Sequence, residues 1–168
     1  SLLGLFNGKF KTYTYTKGTF TLSNKWDIRF LEMAKLVASW SKDPSTQVGA
    51  VAVRNRTVIA QGYNGFPRGI SDEPYRYEHK QLKYNGVSLK DSTVYVVGLP
   101  ACGECAKGLI QVGVERVVMP ERGHLDDKWA VSCADAQSYF DEAEFYANEN
   151  YSNASGWSSF DQYDYFDE

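Results

Sequence analysis

The chain has 168 residues, of which 43% are apolar and 23% are charged, the balance of a globular protein rather than a disordered one. This length fits one domain, and no apolar run approaches the ~20 residues of a membrane-spanning helix, so we expect no membrane partner. Three cysteines, an odd number, argue against a disulfide scaffold. Since no signal-peptide pattern opens the chain, we expect a reducing, cytoplasmic location.

Charge is distributed unevenly along the chain. All 18 basic residues lie within residues 1–128, which carry a net charge of +6, whereas residues 129–168 carry −9. A mildly basic body fits an anionic small molecule better than a nucleic-acid duplex, which requires a concentrated basic face. We therefore expect no nucleic-acid duplex as a partner, and solubility alone explains the acidic tail equally well.

The first 24 residues are predicted to be a β-rich arm. Residues 10–22 alternate threonines with aromatic side chains, a pattern that favours strands, and Lys17-Gly18 offers a turn between them. We expect this arm, residues 1–24, to pack on the body or on a neighbouring subunit.

Helical and β-rich patterns follow in the first half of the body. The N-cap signal Ser23-Asn24 opens a predicted helix of about four turns that ends before Asp43-Pro44. Two β-rich runs, 48–53 and 57–60, predict an antiparallel hairpin. Residues 62–69 form a loop punctuated by glycine and proline.

The second half alternates strands and helices. The pattern predicts a strand at 92–97, a helix at 102–112, a strand at 117–119, a helix from after Asp126-Asp127 to about Glu142 and a short strand at 145–146. Such alternation requires parallel strands, so the predicted fold class is α/β, with a mixed sheet of about five strands covered by helices on both faces. We place this domain at residues 25–147 and an acidic, aromatic tail at residues 148–168.

Two of the cysteines have the spacing of a metal site. Cys102 and Cys105 stand at the start of a predicted helix, where both sulfurs can reach one metal and the partial positive charge of the helix end stabilises thiolates. Zinc requires four ligands, so other residues must contribute. A thioredoxin-like redox pair is the weaker interpretation, because the flanking Trp and Pro of that motif are absent. We interpret Cys133 as a small core or boundary residue.

The cysteine pair belongs to a set of three sequence motifs: Asp43-Pro-Ser-Thr-Gln-Val-Gly-Ala50, Gly62-Tyr-Asn-Gly-Phe-Pro-Arg-Gly69 and Leu99-Pro-Ala-Cys-Gly-Glu-Cys-Ala-Lys107. In this order, over about residues 25–146, they resemble the zinc-dependent deoxycytidylate (dCMP) deaminases of the cytidine deaminase superfamily. The resemblance implies a three-layer α/β/α fold and hydrolytic deamination of dCMP to dUMP by a zinc-activated water, with a non-ligand Glu that carries protons. It also implies dCTP or dTTP as allosteric effectors and a homo-oligomer, often a hexamer.

The resemblance assigns roles to individual residues. Cys102 and Cys105 match the two cysteine ligands of the zinc, and Asn64 matches the family Asn that contacts the sugar. Lys42 is a candidate phosphate contact, although a solvated lysine explains it at least as well. The loop of the regulatory triphosphate site is matched by Gly65, Pro67, Arg68 and Gly69.

One part of the family pattern is missing. The family places His-Ala-Glu and its helix before the cysteines, but no His-x-Glu occurs in this sequence. The segment that ends at Tyr84 resembles the family sequence before that motif, and the segment that begins at Asn85 resembles the family sequence after it, so about a dozen residues are absent between them. His79 and Glu78 have the chemistry of a third ligand and a proton carrier, but they align with the charged loop before the motif, where a surface histidine is favoured.

Several hypotheses stay open at this point. Either the motif is lost, or the molecule has residues that this sequence omits; we favour omission, since loss of a core helix costs several kcal/mol or more. The protein is then a dCMP deaminase, an inactive deaminase-like protein that binds nucleotides or serves assembly, or a carrier of a structural zinc site shared between subunits.

Separately, Glu144 stands where the family usually has Gly, which costs stability if φ there is positive.

Overall fold

The structure is a computed structural model that describes residues 9–17, 24–65, 69, 81–82, 87–120 and 127–153. The helices are α1 (Asn24–Ala38), α2 (Gly103–Gln111) and α3 (Asp127–Glu142). The strands are β1 (Lys9–Thr16), β2 (Gly49–Arg54), β3 (Thr57–Gly65), β4 (Gln81–Leu82), β5 (Thr93–Val97), β6 (Arg116–Pro120) and β7 (Tyr146–Asn153).

The strands form one mixed sheet in the order β4-β3-β2-β5-β6-β1-β7. Strands β5 and β6 are parallel and are joined through α2, whereas the other neighbouring strands are antiparallel. The mixed α/β sheet is therefore confirmed. It has seven strands rather than about five, because β1 and the two-residue β4 join the five that the sequence predicts.

Helices cover both faces of the sheet. Alternate side chains of the central strands point to opposite faces, so Val51 and Tyr95 pack under α1 while Ala52 and Val94 pack under α2 and α3. Each face has its own apolar cluster, and the predicted three-layer α/β/α arrangement is confirmed. The helix and the hairpin predicted for residues 24–60 occur. The loop predicted at 62–69 is wrong over residues 62–65, because β3 continues to Gly65 and pairs there with β2 and β4.

The N-terminal strand is an interior strand of the sheet. β1 pairs with β6 on one side and β7 on the other, and the Tyr15 ring stacks on Phe140 of α3 with centroids 4.6 Å apart. The second half of the predicted hairpin lies outside the described residues. The last strand, predicted at 145–146, occurs from Tyr146 onward but is longer than predicted: β7 has eight residues and runs to Asn153, because β1 gives its backbone a partner. The sheet thus extends past residue 147, where we drew the domain boundary.

A buried ion pair ties α1 to the sheet. Arg116 of β6 is only 2% exposed and donates to both carboxylate oxygens of Asp27 in α1. The hydroxyl of Tyr95 donates to the same carboxylate at 2.6 Å. Burial, and then the Asp27 charge, raise the pKa of Tyr95, which keeps its hydroxyl protonated and able to donate.

In the part of the chain that the structure describes, no helix is long and apolar enough to cross a bilayer.

Candidate functional site

Three chain segments meet at one edge of the sheet. Gly49, the first residue of β2, pairs with both Tyr63 near the end of β3 and Val97 at the end of β5. The turn at residues 41–48, the end of β3 and the segment after β5 therefore lie side by side. Ligands of α/β folds commonly bind beyond the carboxyl ends of strands, so this edge is the natural place for a site.

The two cysteines lie at this edge, at the start of α2. Cys102 is the N-cap residue and its sulfur accepts a hydrogen bond from the backbone N–H of Cys105. The two Sγ atoms are 3.3 Å apart, and both side chains are partly exposed. Two sulfurs at ~2.3 Å from one tetrahedral zinc lie roughly 3.8 Å apart, so only a small adjustment brings both onto one metal.

The two thiols differ in acidity. The hydrogen bond from Cys105 lowers the pKa of Cys102 to about 6, against the opposing effect of burial. The same hydrogen bond, together with burial, raises the pKa of Cys105, which donates it. At neutral pH the pair therefore holds one negative charge, at the helix end that favours an anion.

A contact with α3 fixes the start of α2. The backbone N–H of Gly103 donates to Ser132 Oγ at 3.1 Å, which satisfies one of the donors that a helix start leaves open. Gly103 is buried, and a Cβ there would lie 3.2 Å from Cβ of Asp135. The close approach of the two helices therefore orients the cysteine pair.

The described residues supply only part of a zinc site. Cys102 and Cys105 fit two ligand positions, but no group of three His, Cys, Asp or Glu side chains occurs within the described ranges. His79 and Glu78 lie outside those ranges. The roles of His79 as a third ligand and of Glu78 as a proton carrier therefore stay predictions.

Asn64 lies at the same edge and is only 1% exposed. Its amide nitrogen donates to Asp43 Oδ2 and to the carbonyl of Thr46, both at 2.9 Å, and its amide oxygen accepts from Val48 N at 2.8 Å. The side chain is therefore engaged with the 41–48 turn. The sugar contact that the resemblance implies for Asn64 stays a prediction.

The other candidate residues surround this turn. Lys42 is exposed on it, and Gly65 ends β3 next to Asn64. Gly69 is exposed with φ of +86°, a backbone conformation that favours glycine, whereas Pro67 and Arg68 lie outside the described residues. The structure thus brings Asn64, Gly65 and Lys42 to the edge where the cysteines lie.

The sequence reasoning missed the carboxylate that organises this edge. Asp43 is 5% exposed, and its Oδ1 accepts hydrogen bonds from the backbone N–H groups of Ser45 and Thr46 and from the Ser45 hydroxyl. An Asp followed by Pro-Ser-Thr is the sequence signal of such an Asx turn, so the turn could have been predicted from the sequence. Its bond to Asn64, 21 residues away, has no local signal.

Comparison with known proteins assigns a family. The sequence model of the family described as "Cytidine and deoxycytidylate deaminase zinc-binding region" matches residues 24–121, more than half of the chain. An uncharacterized deaminase encoded in the luxG 3' region of Aliivibrio fischeri is 36% identical over 71% of this chain and 90% of its own length.

Two animal proteins are similar over a shorter part. A probable deoxycytidylate deaminase of Drosophila melanogaster is 37% identical over 62% of this chain and 61% of its own length. The deoxycytidylate deaminase of Homo sapiens is 36% identical over 62% of this chain and 70% of its own length.

The alignment with the Aliivibrio protein contains positions that this chain lacks. The alignment with the Aliivibrio protein runs over 134 positions but takes up 71% of this chain, or about 119 residues, so about 15 positions of that relative have no counterpart here. This excess is similar in size to the dozen residues that we predict to be absent between Tyr84 and Asn85.

Proposed function

Because the chain belongs to the cytidine and deoxycytidylate deaminase family, we propose that it converts dCMP and water to dUMP and ammonia. Relatives that carry the name deoxycytidylate deaminase, at 36–37% identity, support this substrate. So do the segments at residues 43–50 and 62–69, which resemble the nucleotide-monophosphate branch.

The observation that carries the proposal is the position of the cysteine pair. Two partly exposed thiols 3.3 Å apart, one with its pKa lowered to about 6, lie at the start of α2 and at the edge where β3 and β5 end. We propose that they hold zinc, which supplies in such enzymes a water acidic enough to act as a nucleophile near neutral pH.

This chain's own residues would then bind and orient the substrate. The thiolate of Cys102 and the end of α2 hold the metal position, and Lys42 offers a cation for the phosphate of dCMP. The third ligand and the proton carrier would come from the His-Ala-Glu segment that we expect the molecule to contain, with His79 and Glu78 as the alternative within this sequence. The loop at residues 65–69 is the proposed site of dCTP or dTTP as effector, in a cytoplasmic homo-oligomer.

A second candidate function has a specific observation in its favour. The sequence lacks His-x-Glu, and about 15 positions of the Aliivibrio relative are unmatched. A chain that truly lacks this segment would bind a deoxynucleotide at the same edge without turning it over, as a nucleotide-binding or assembly module.

Product analysis and equilibrium binding separate the two candidates. Purified full chain, supplied with zinc, is incubated with dCMP while dUMP and ammonia are quantified, with Cys102→Ala as the inactive control. Equal release of dUMP and ammonia, lost in the variant, supports the deaminase. Saturable dCMP binding without product would favour the binding module, and the absence of both would refute each. An intact mass that exceeds that of the 168 residues by more than about one kilodalton would point to residues that this sequence omits.

A further inference from the structure

Helix α3 lies outside the part of the chain that the family model matches. That match ends at residue 121, whereas α3 covers Asp127–Glu142. The helix packs on α2 through Ala136 and Phe140, which share an apolar cluster with Ala106 and Leu109. The cysteine pair at the start of α2 therefore rests on a helix that the family pattern does not cover.

The first N–H groups of α2 have acceptors of two kinds. The backbone N–H of Cys105 donates to the sulfur of Cys102, an acceptor within the same motif. The N–H of Gly103 donates instead to Ser132 Oγ of α3, at 3.1 Å. A helix start leaves its first N–H groups without partners inside the helix, so a buried one requires an acceptor from elsewhere. Ser132 thus anchors the residue that follows Cys102 to α3.

Three residues of α3 face this point of α2. A Cβ on Gly103 would lie 3.2 Å from Cβ of Asp135, 3.4 Å from Cε2 of Tyr139 and 3.5 Å from the carbonyl oxygen of Ser132. Positions 132, 135 and 139 have the i, i+3, i+7 spacing of one helix face. The glycine beside Cys102 therefore lets α3 approach closely enough for its serine hydroxyl to reach the backbone of α2.

A second contact joins the two helices one turn further along α2. The Lys107 ammonium pairs with Glu104 at 2.9 Å and lies over the Tyr139 ring, 5.3 Å from its centroid. Both charged side chains are largely exposed, so this contact contributes little energy. The bond from the buried Gly103 to Ser132 is therefore the stronger constraint on the start of α2.

We propose that Ser132 is a positioning residue of the metal site, an inference that deepens the proposed function and rests on it. The Ser132 hydroxyl accepts the hydrogen bond from Gly103 N–H and fixes the first turn of α2 against α3, so both sulfurs are in place before a metal binds. Ligands that are already in place bind a metal without a further cost of ordering. Outer residues that orient metal ligands affect metal affinity by about tenfold or more.

Single substitutions within α3 test this role. Ser132→Ala removes the acceptor, Ser132→Thr keeps the hydroxyl, and Ser138→Ala makes the alanine change at an exposed position of the same helix. Competition with a chromogenic chelator gives the zinc dissociation constant of the purified full chain, at a temperature where every variant is fully folded. We expect Ser132→Ala to bind zinc about tenfold more weakly, Ser132→Thr to stay within about twofold of wild type, and Ser138→Ala to be unchanged.

The zinc dissociation constant separates positioning from stability. A residue that only stabilises the fold changes the melting temperature but leaves the dissociation constant of a fully folded protein as it was. Unchanged zinc affinity in folded Ser132→Ala, whatever its melting temperature, would therefore overturn the inference. An equal loss of affinity in Ser132→Thr would overturn it too, since the hydroxyl would then not be the group that matters.

A second readout does not depend on metal. In metal-free protein, we expect the amide hydrogens of Gly103 and Cys105 to exchange with solvent several-fold faster in Ser132→Ala than in Ser138→Ala, as measured by NMR. If the wild-type chain binds zinc no better than Cys102→Ala does, the proposed function fails, but exchange at Cys105 still decides whether Ser132 holds the pair. Unchanged exchange at Cys105 would then contradict the inference.

Gly103→Ala provides a second perturbation in case Ser132→Ala does not fold. Its added Cβ would press on Asp135 and move α2 away from α3, whereas the Cβ of Gly108→Ala, also within α2, meets nothing within 4 Å. We expect Gly103→Ala to weaken zinc binding several-fold and Gly108→Ala to leave it unchanged. Equal zinc affinity in these two variants would overturn the inference.

Discussion

The two site cysteines are chemically unlike, although only two residues separate them. Cys102 accepts a hydrogen bond from the backbone N–H of Cys105 at the start of α2, and the hydrogen bond between the two sulfurs lowers the pKa of Cys102 and raises that of Cys105. A pKa lowered to about 6 means that Cys102 is a thiolate at neutral pH and becomes a thiol only when the pH falls through 6. The buried Cys133 takes no part in the site.

This asymmetry predicts a pH profile for thiol alkylation. In metal-free protein, the rate of Cys102 alkylation by iodoacetamide should rise between about pH 5 and pH 7 and level off above, because the thiolate is the reacting form. Mass spectrometry of the modified peptides measures the rate at each cysteine. In Cys105→Ala the midpoint should move up towards the ~8.5 of a free cysteine, since the hydrogen bond that lowers the pKa is gone. A wild-type midpoint near ~8.5 would contradict the assignment.

Glu144 is a strained residue at the end of α3. Its φ is +63°, and the bonds from Glu144 N to Asp141 O and from Phe145 N to Phe140 O form the Schellman motif that usually places glycine here. The sequence left open whether φ at this position is positive, and the structure shows that it is.

We predict that Glu144→Gly raises the free energy of unfolding by about 0.5–1 kcal/mol, because glycine adopts positive φ without a steric penalty. The matched control is Glu142→Gly, which places glycine at the last helical residue of α3 and should lower the free energy of unfolding by a similar amount. Urea unfolding of both variants measures the difference. Equal destabilisation by the two substitutions would show that φ at residue 144 is not the controlling factor.

At the level of elements, the close contact of α1 with β2 positions the turn between them. A Cβ on Gly49 would lie 2.4 Å from the backbone nitrogen of Ala38 and 2.5 Å from the carbonyl oxygen of Ala34. These are backbone atoms of α1, so no side-chain rotation relieves the clash. The helix must instead move away from the strand, and the 41–48 turn must move with it.

Gly49→Ala should therefore destabilise the protein by about 1–3 kcal/mol, the cost of overpacking a tightly packed contact. Gly108→Ala is the matched control, since a Cβ there meets nothing within 4 Å and lies within α2. It should stabilise the protein by about 0.5–1 kcal/mol. Thermal unfolding of both variants gives the comparison, and a neutral Gly49→Ala would mean that α1 and β2 are farther apart than described.

At the level of the whole molecule, local patterns predicted most elements because those elements depend on local signals. The start of α1 at Asn24, the strand at 93–97 and the start of α2 at the cysteines are each specified by neighbours in sequence. The length of β7 and the interior position of β1 were not predictable in this way. Both depend on pairing between residues that lie at opposite ends of the chain, such as Thr16 with Tyr146.

The candidate site likewise contains features that local sequence predicts and features that it does not. The cysteine pair and the residues of the 62–69 loop follow from spacing and resemblance. The bond from Asp43 to Asn64 and the contact of Gly98 with Gln47 exist only once β2, β3 and β5 are aligned in the sheet. Tertiary contacts of this kind leave no signal in a single sequence.

The proposed nucleotide site lies at the edge where β3 and β5 end, and amide chemical shifts of the full chain during titration with dCMP test this position most directly. We expect saturable shifts of amides in residues 41–48, 62–65 and 98–105. The opposite edge of the sheet, at residues 54–57, 88–91 and 113–116, should stay unchanged. Shifts concentrated at that opposite edge, or no saturable shifts at all, would contradict a nucleotide site beside the cysteine pair.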